Sequence, residues 1–212
     1  MGIGNQSEQD KIIELENVFA KDKNTGLIIG GAHTLAYTDG NLIGDPIEKQ
    51  AFEGLKFKQS SEGTRVSTGN GAVITQVKKY MFNSTLKRMS VLAEVKDNNG
   101  TALRVLSKGA PEVLKTFMKT YPKDYDSTYL GYVKNGSRVL AMAYKPVPKM
   151  NKSEQLAYSR EEAETDLIFA GFIIAECPLK DDTKAVINEL KEASHEVKMI
   201  TGDNALTAAF IG

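Results

Sequence analysis

Residues 87–108, KRMSVLAEVKDNNGTALRVLSK, decide the fold. Over 87–96, Met89, Val91, Ala93 and Val95 alternate with Arg88, Ser90, Glu94 and Lys96. A period of two places the first set on one face of a β-strand and the second on the other. Asn98-Asn99-Gly100 then supplies residues that tolerate left-handed backbone, so TALRVLSK (101–108) is expected to return as the second arm of a hairpin. VITQVKKYMF (73–82) reads as a strand before this hairpin and RVLAMAY (138–144) as a buried strand after it. An antiparallel meander therefore occupies the middle of the chain.

The flanks are expected to be helical. GLIIGGAHTLAYT (26–38) reads as one tightly packed helix, with small residues at Gly30, Gly31 and Ala32. Asp39-Gly40 forms a turn, and Asp45-Pro46 opens a helix with a capping side chain followed by proline in its first turn. Ala110-Pro111-Glu112 opens another, with Val113, Leu114, Phe117 and Met118 on one face. YPKDYDSTYLGY (121–132) is a polar, tyrosine-rich stretch, KPVPKMNKSEQ (145–155) a connection, and SEQLAYSREEAE (153–164) a charged, exposed helix.

After residue 165, LIFAGFIIA, DDTKAVINELKEAS, EVKMIT and NALTAAFIG read as strand, helix, strand, helix, the order of a parallel sheet with crossover helices. The expected fold class is α/β: an α+β domain with a twisted antiparallel sheet flanked by helices, plus a partial parallel segment. The expected organisation is a leader at 1–19, a first domain at 20–165 and a second piece at 166–212. That piece is expected to be poorly ordered or to pack unusually.

Composition narrows the function. With 212 residues and 41% hydrophobic content the chain can bury a sizeable core. Lys plus Arg and Asp plus Glu are equal at 27, so no global field draws it to nucleic acid or an anionic membrane. One cysteine, Cys177, and no signal-peptide pattern indicate a reducing compartment. The apolar run Leu167 to Ala175 is about half of the roughly 20 residues a membrane helix needs.

Residue by residue, several positions carry two readings. Thr201-Gly202-Asp203-Asn204 follows an expected strand, where a parallel sheet binds ligands and a helix N-terminus attracts phosphate; it is equally a capped turn. Lys108, beside Gly109, can reach a phosphate, although a strand-end lysine is ordinarily solvated and its replacement should leave the fold intact. Phe82 can stack a purine with Lys87 and Arg88 nearby, yet the residues alone favour a place in the core. Glu48 can accept a hydrogen bond from an exocyclic amine, or simply meet the helix dipole. His33 and His195 are too isolated for a zinc site, and the usual phosphate-loop and serine-hydrolase motifs are missing.

In order, GDPIEKQAF, FNSTLKRMSVL, SKGAPEVL, SRVLAMAYK and CPLKDDTKAVINELKEASHEVKMITGDNALTA resemble segments of P-type ATPases. Five such segments over some 170 residues are specific, and the last is similar to the fifth subfamily, A branch (type VA). The resemblance implies the nucleotide-binding domain of such an ATPase with part of its phosphorylation domain attached. It implies that Phe82 stacks adenine, Glu48 lies near the adenine amino group, and Lys87 and Lys108 with Gly109 line the pocket. Arg138 then reaches the nucleotide phosphates. Thr201, Gly202, Asp203 and Lys180 form part of the phosphorylation-domain site.

Ligands implied are ATP and, for the full-length protein, Mg²⁺. The implied partners are the remaining phosphorylation, actuator and transmembrane domains of the same polypeptide. The full-length protein is expected to be a multi-pass ATPase of the endoplasmic reticulum membrane, forming an aspartyl-phosphate and moving cations or dislocating membrane helices. The chain in hand is expected to be monomeric, cytosolic and inactive alone, because the Asp-Lys-Thr-Gly-Thr and later Gly-Asp motifs are missing, and to end in a cut through its last helix. Two features depart from the family: Cys177-Pro178-Leu179-Lys180 stands where most members have Asp-Pro-Pro-Arg, and Ser84 where many cation pumps carry arginine. The alternatives are a non-catalytic interaction module with a decayed pocket and a free-standing phosphatase or kinase of the parallel-sheet superfamily.

Overall fold

The computed structural model describes residues 11–12, 23–68, 71–176, 181–201 and 205–211. A two-residue strand β1 (Lys11–Ile12) precedes helix α1 (Lys23–Gly31). The hairpin β2 (Ala36–Thr38) and β3 (Asn41–Ile43) leads into α2 (Pro46–Gly54), and β4 (Lys58–Gln59) and β5 (Arg65–Ser67) follow. The meander is β6 (Val73–Asn83), β7 (Arg88–Asp97) and β8 (Gly100–Gly109). Then come α3 (Pro111–Leu114), a 3₁₀ turn, β9 (Met118–Thr120), α4 (Tyr125–Lys134) and β10 (Arg138–Val147). The chain continues through α5 (Lys152–Ala157), α6 (Arg160–Ala163), β11 (Leu167–Glu176), α7 (Thr183–Glu192) and α8 (Ala205–Ile211).

One nine-stranded sheet runs in the order β1-β11-β10-β8-β7-β6-β5-β4, with β9 also paired to β11. Every pairing is antiparallel except β9 with β11. The meander is as expected: Asp97 pairs with Gly100 across an Asn98-Asn99 turn, and Met89, Val91, Ala93 and Val95 are all buried. They join a core cluster under α1 and α2. The opposite face carries a second cluster, with Leu92 and Val105 packed beside Tyr125, Tyr129 and Val133 of α4. Both faces are thus covered, which is why Ser90, expected on a polar face, is buried too.

Several expectations need correction. The helix over 26–38 stops at Gly31. Beyond it the ring Nδ1 of His33 accepts a 3.1 Å bond from the Leu35 amide, a local alternative to the helical ladder, and the chain turns into β2. Gly31 is there for close approach: a Cβ would sit 2.4 Å from Leu106 Cδ1 on the sheet. The helix after Ala110 is one turn, and Met118 begins β9 beside Leu167. The tyrosine-rich stretch is instead the helix α4, burying Tyr125, Tyr129 and Val133 at a helical spacing. The single helix expected over 153–164 is two, each with its own capping box, Asn151 with Glu154 and Ser159 with Glu162.

The largest correction concerns β11. It does not open a separate parallel unit: Val139 pairs antiparallel with Ile174 and Leu140 with Ile173, so β11 lies inside the sheet of the meander. Nor do residues 196–201 form a strand; they are exposed and join no sheet among the described residues. Residues 167–176 are well packed, contrary to expectation, whereas α7 buries no side chain.

Candidate functional site

A cavity of about 620 Å³ opens where the meander's hairpin, the end of β8 and the start of β10 converge with the N-terminus of α2. Its wall includes Thr34, Glu48, Phe82, Ser84, Lys87, Met89, Lys108, Gly109, Arg138 and Leu140. Six residues proposed from sequence, Glu48, Phe82, Lys87, Lys108, Gly109 and Arg138, thus share one cavity although 90 positions separate the first from the last.

Phe82 stands on a β-bulge. Tyr80 pairs with Ser90 and Asn83 with Arg88, so Met81 and Phe82 together oppose Met89. A bulge re-aims side chains, and Phe82 is 57% exposed at the cavity wall. It is not the core residue that the residues alone favoured. The turn beyond is closed by Asn83, whose Oδ1 accepts the amides of Thr85 and Leu86 and whose carbonyl accepts that of Lys87 at 2.7 Å. Lys87 itself adopts φ +48°, a left-handed conformation that a side chain makes unfavourable.

Glu48 is placed by the Asp45 cap, whose Oδ1 accepts the amides of Ile47 and Glu48. Its carboxylate is saturated on one side, where Oε2 accepts the Thr34 amide at 2.8 Å and the Thr34 hydroxyl at 3.0 Å. On the other, Oε1 lies 2.6 Å from Lys108 Nζ. Burial by itself would raise the Glu48 carboxyl; the Lys108 ammonium and the Thr34 bonds outweigh it and hold the group below its ordinary value. Lys108 is 5% exposed, so the solvated strand-end lysine is instead a buried ion-pair partner. The cavity therefore presents an apolar wall, a polar floor with a fixed negative charge, and cations at Lys87, Lys108 and Arg138.

Gly109 is required by packing. A Cβ there would lie 2.6 Å from Arg88 Cβ, 2.7 Å from the Lys87 carbonyl oxygen and 2.9 Å from Arg88 Cα, so the strand would have to move. Gly109→Ala is expected to destabilise the chain by about 1–3 kcal/mol, the usual range for overpacking. A shift of the urea midpoint smaller than the measurement error would contradict this.

Thr34, Met89, Leu140 and Tyr129 also line the cavity and were missed in the sequence; Thr34 sits in a loop with no periodic signal of its own. Thr201 is exposed and lies away from the cavity wall. Lys180, Gly202 and Asp203 lie outside the described residues, as does Cys177. Among the described residues there is no group of three or more His, Cys, Asp or Glu side chains that could hold a metal ion. Nor is any helix among them long and apolar enough to cross a membrane.

Comparison with known proteins follows the same lines. Residues 55–182 match the family described as "P-type ATPase, cytoplasmic domain N". The chain is 37% identical over 209 residues to an "Endoplasmic reticulum transmembrane helix translocase" of Saccharomyces cerevisiae, covering 98% of this chain and 17% of the relative. It is 40% identical over 185 residues to a "Probable manganese-transporting ATPase PDR2" of Arabidopsis thaliana, covering 87% and 15%. A Homo sapiens protein, "Probable cation-transporting ATPase 13A5", is 34% identical over 199 residues, covering 85% and 16%. The chain thus spans 15 to 17% of the length of these curated relatives.

Proposed function

The chain belongs to the P-type ATPases, and from that premise we propose that it is the ATP-binding domain of a longer pump of the type VA branch. The observation that carries the reading is the single cavity in which Phe82, Glu48, Lys108, Lys87 and Arg138 meet. An exposed aromatic face suits a purine, and lysine and arginine beside it suit phosphate. The donor set fits ATP, with Phe82 as the stacking face, Glu48 and its ion-pair partner Lys108 facing the adenine amino group, and Lys87 and Arg138 compensating phosphate charge. ATP supplies the γ-phosphoryl group. Phosphoryl transfer depends on positioning and charge neutralisation together with a nucleophile. In this reading the chain does the positioning, and the aspartate nucleophile and the Mg²⁺ ligands belong to other parts of the polypeptide; alone, the chain hydrolyses nothing.

The full-length protein in this reading is a multi-pass ATPase of the endoplasmic reticulum membrane, moving either a cation or a membrane helix, with the present segment on the cytosolic side. Similarity to the yeast translocase supports the location. The pairing of β11 within the sheet to Glu176 supports a nucleotide-binding domain that runs to about that residue, with the phosphorylation-domain piece after it. Thr201 to Asp203 and Lys180 would serve the phosphate in that piece.

The test is titration with a non-hydrolysable ATP analogue. Phe82→Ala is expected to weaken binding by roughly 5- to 150-fold, since base stacking on an aromatic side chain contributes about 1–3 kcal/mol. Its melting temperature should stay unchanged, because the side chain is largely exposed. Lys87→Gly removes a cation and a left-handed strain together, so binding should weaken while stability stays level or rises by about 1 kcal/mol. No saturable response of the unmodified chain at millimolar analogue would instead support a non-catalytic module, for which Ser84 on the cavity wall is the favouring observation.

A further inference from the structure

At the bulge that aims Phe82 outward, one guanidinium bonds backbone carbonyls of both strands. Arg160 Nη2, from the first residue of α6, donates to the carbonyls of Met81 at 2.8 Å, Tyr80 at 3.1 Å and Arg88 at 3.4 Å. It thus bridges both strands of the β6–β7 hairpin on either side of the bulge. Arg88, the first residue of β7, reaches back into the turn, with Nη1 donating to the Leu86 carbonyl at 3.2 Å. Its guanidinium also covers the Phe117 ring at 4.0 Å.

Both arginines converge on one carboxylate. Glu164, 1% exposed, accepts Arg88 Nε at 2.7 Å on Oε2. Its Oε1 accepts Arg160 Nε at 3.0 Å and the Ser90 hydroxyl at 2.8 Å, and Ser90 is in turn bonded to Ser107. A buried carboxylate with its charge shared between two planar, multiply donating cations fixes their orientation as well as their position. Glu164 does not line the cavity, and neither does Arg160.

We propose that Glu164 is the positioning residue of this site: by holding Arg160 and Arg88 it sets the bulge, and with it the place of Phe82 and Lys87 on the cavity wall. The inference rests on the nucleotide-binding reading for its ligand, but not for its mechanics. Removing the charge of Glu164 leaves two half-buried guanidinium groups to seek other partners, and the carbonyls of Tyr80 and Met81 lose a fixed donor. The hairpin then samples other registers, in which Phe82 is displaced.

The experiment compares the whole chain with Glu164→Gln and Arg160→Lys. Lysine keeps the positive charge but cannot serve the three carbonyls and the Glu164 carboxylate at once, as the Nη2 and Nε donors of arginine do. Two measurements are made below the melting temperature: amide hydrogen exchange at Thr85, Leu86 and Lys87, and affinity for a non-hydrolysable ATP analogue. Exchange at those amides is expected to rise at least tenfold in both variants while Ala93 and Val105 change less than twofold, and affinity to fall at least fivefold. A purely structural role predicts a lower melting temperature with exchange accelerated evenly, which would overturn the proposal. So would a mobile hairpin with undiminished affinity in a chain that binds the analogue. Should Glu164→Gln leave the chain unfolded, Arg160→Lys carries the same comparison. If the unmodified chain binds nothing yet exchange rises selectively in the hairpin, the nucleotide reading fails and Glu164 stands as the anchor of Phe82.

Discussion

Replacing Lys108 with methionine will lower the free energy of unfolding by about 3–5 kcal/mol, the cost of stranding one member of a buried ion pair. The residue left behind is Glu48, 9% exposed, which keeps two bonds from Thr34 but loses the ammonium 2.6 Å from Oε1. Methionine fills most of the lysine's volume, so the loss reports charge rather than a cavity. The double variant Glu48→Gln with Lys108→Met should recover to within about 2 kcal/mol of the starting chain, because a neutral amide no longer needs a cation. Urea unfolding of these three chains and of Glu48→Gln alone gives the coupling energy directly. A single-variant loss under about 1 kcal/mol would mean that water reaches the pair. The effect also depends on pH. Glu48 is held below its ordinary value, so its contribution is present above the unfolded carboxyl value of about 4.3 and fades as pH falls through the folded one.

That prediction reverses what the sequence supports, and the reason lies in topology. Lys108 ends a strand and is followed by glycine, the usual setting for a solvated lysine. Only when the N-terminus of α2 is brought to the end of β8 does Glu48, 60 residues earlier, arrive beside it. Local patterns were legible for the same reason that this was not. The alternation of Met89 to Val95, the Asn98-Asn99 turn and the Asp45-Pro46 cap are decided by neighbours within a few residues. The tyrosine-rich stretch misled because Tyr125 and Tyr129 count as polar by composition, yet they bury rings against Phe172 and Phe169.

β11 misled differently. A strand buried on both faces is continuously apolar whether its neighbours run parallel or antiparallel, so LIFAGFIIA could not announce that it pairs antiparallel with β10. The site shows the same division. Which residues gather around the cavity was legible only through resemblance of five segments to a known family, since each segment alone favoured a plainer role. The bulge at Met81-Phe82 leaves no mark in the alternation of β6, and without it Phe82 belongs to the core.

His33 carries the second large effect, and it will appear as a pH dependence of stability. The ring is fully buried, its Nδ1 accepts the Leu35 amide, and it meets Phe52 edge-on at 5.2 Å. Burial first, and the nearby Lys108 and Lys79 charges after it, push its pKa down to about 4 against a weaker opposing pull from Glu48 and the Gly30 backbone. In the unfolded chain the ring takes a proton near pH 6.5. Between those values the unfolded state holds a proton that the folded state refuses. The stabilising contribution is therefore complete above about pH 6.5 and drains away as pH falls toward 4, by on the order of 3 kcal/mol. His33→Asn keeps an acceptor for the Leu35 amide and cannot titrate. It will be less stable at pH 7 for the packing it loses, but its further loss on going to pH 4 will be smaller than that of the unmodified chain by about this amount. Urea midpoints at both pH values decide it: equal pH slopes in the two chains, or a His33 ring resonance that titrates near pH 6.5 in the folded state, would show that the imidazole reaches solvent.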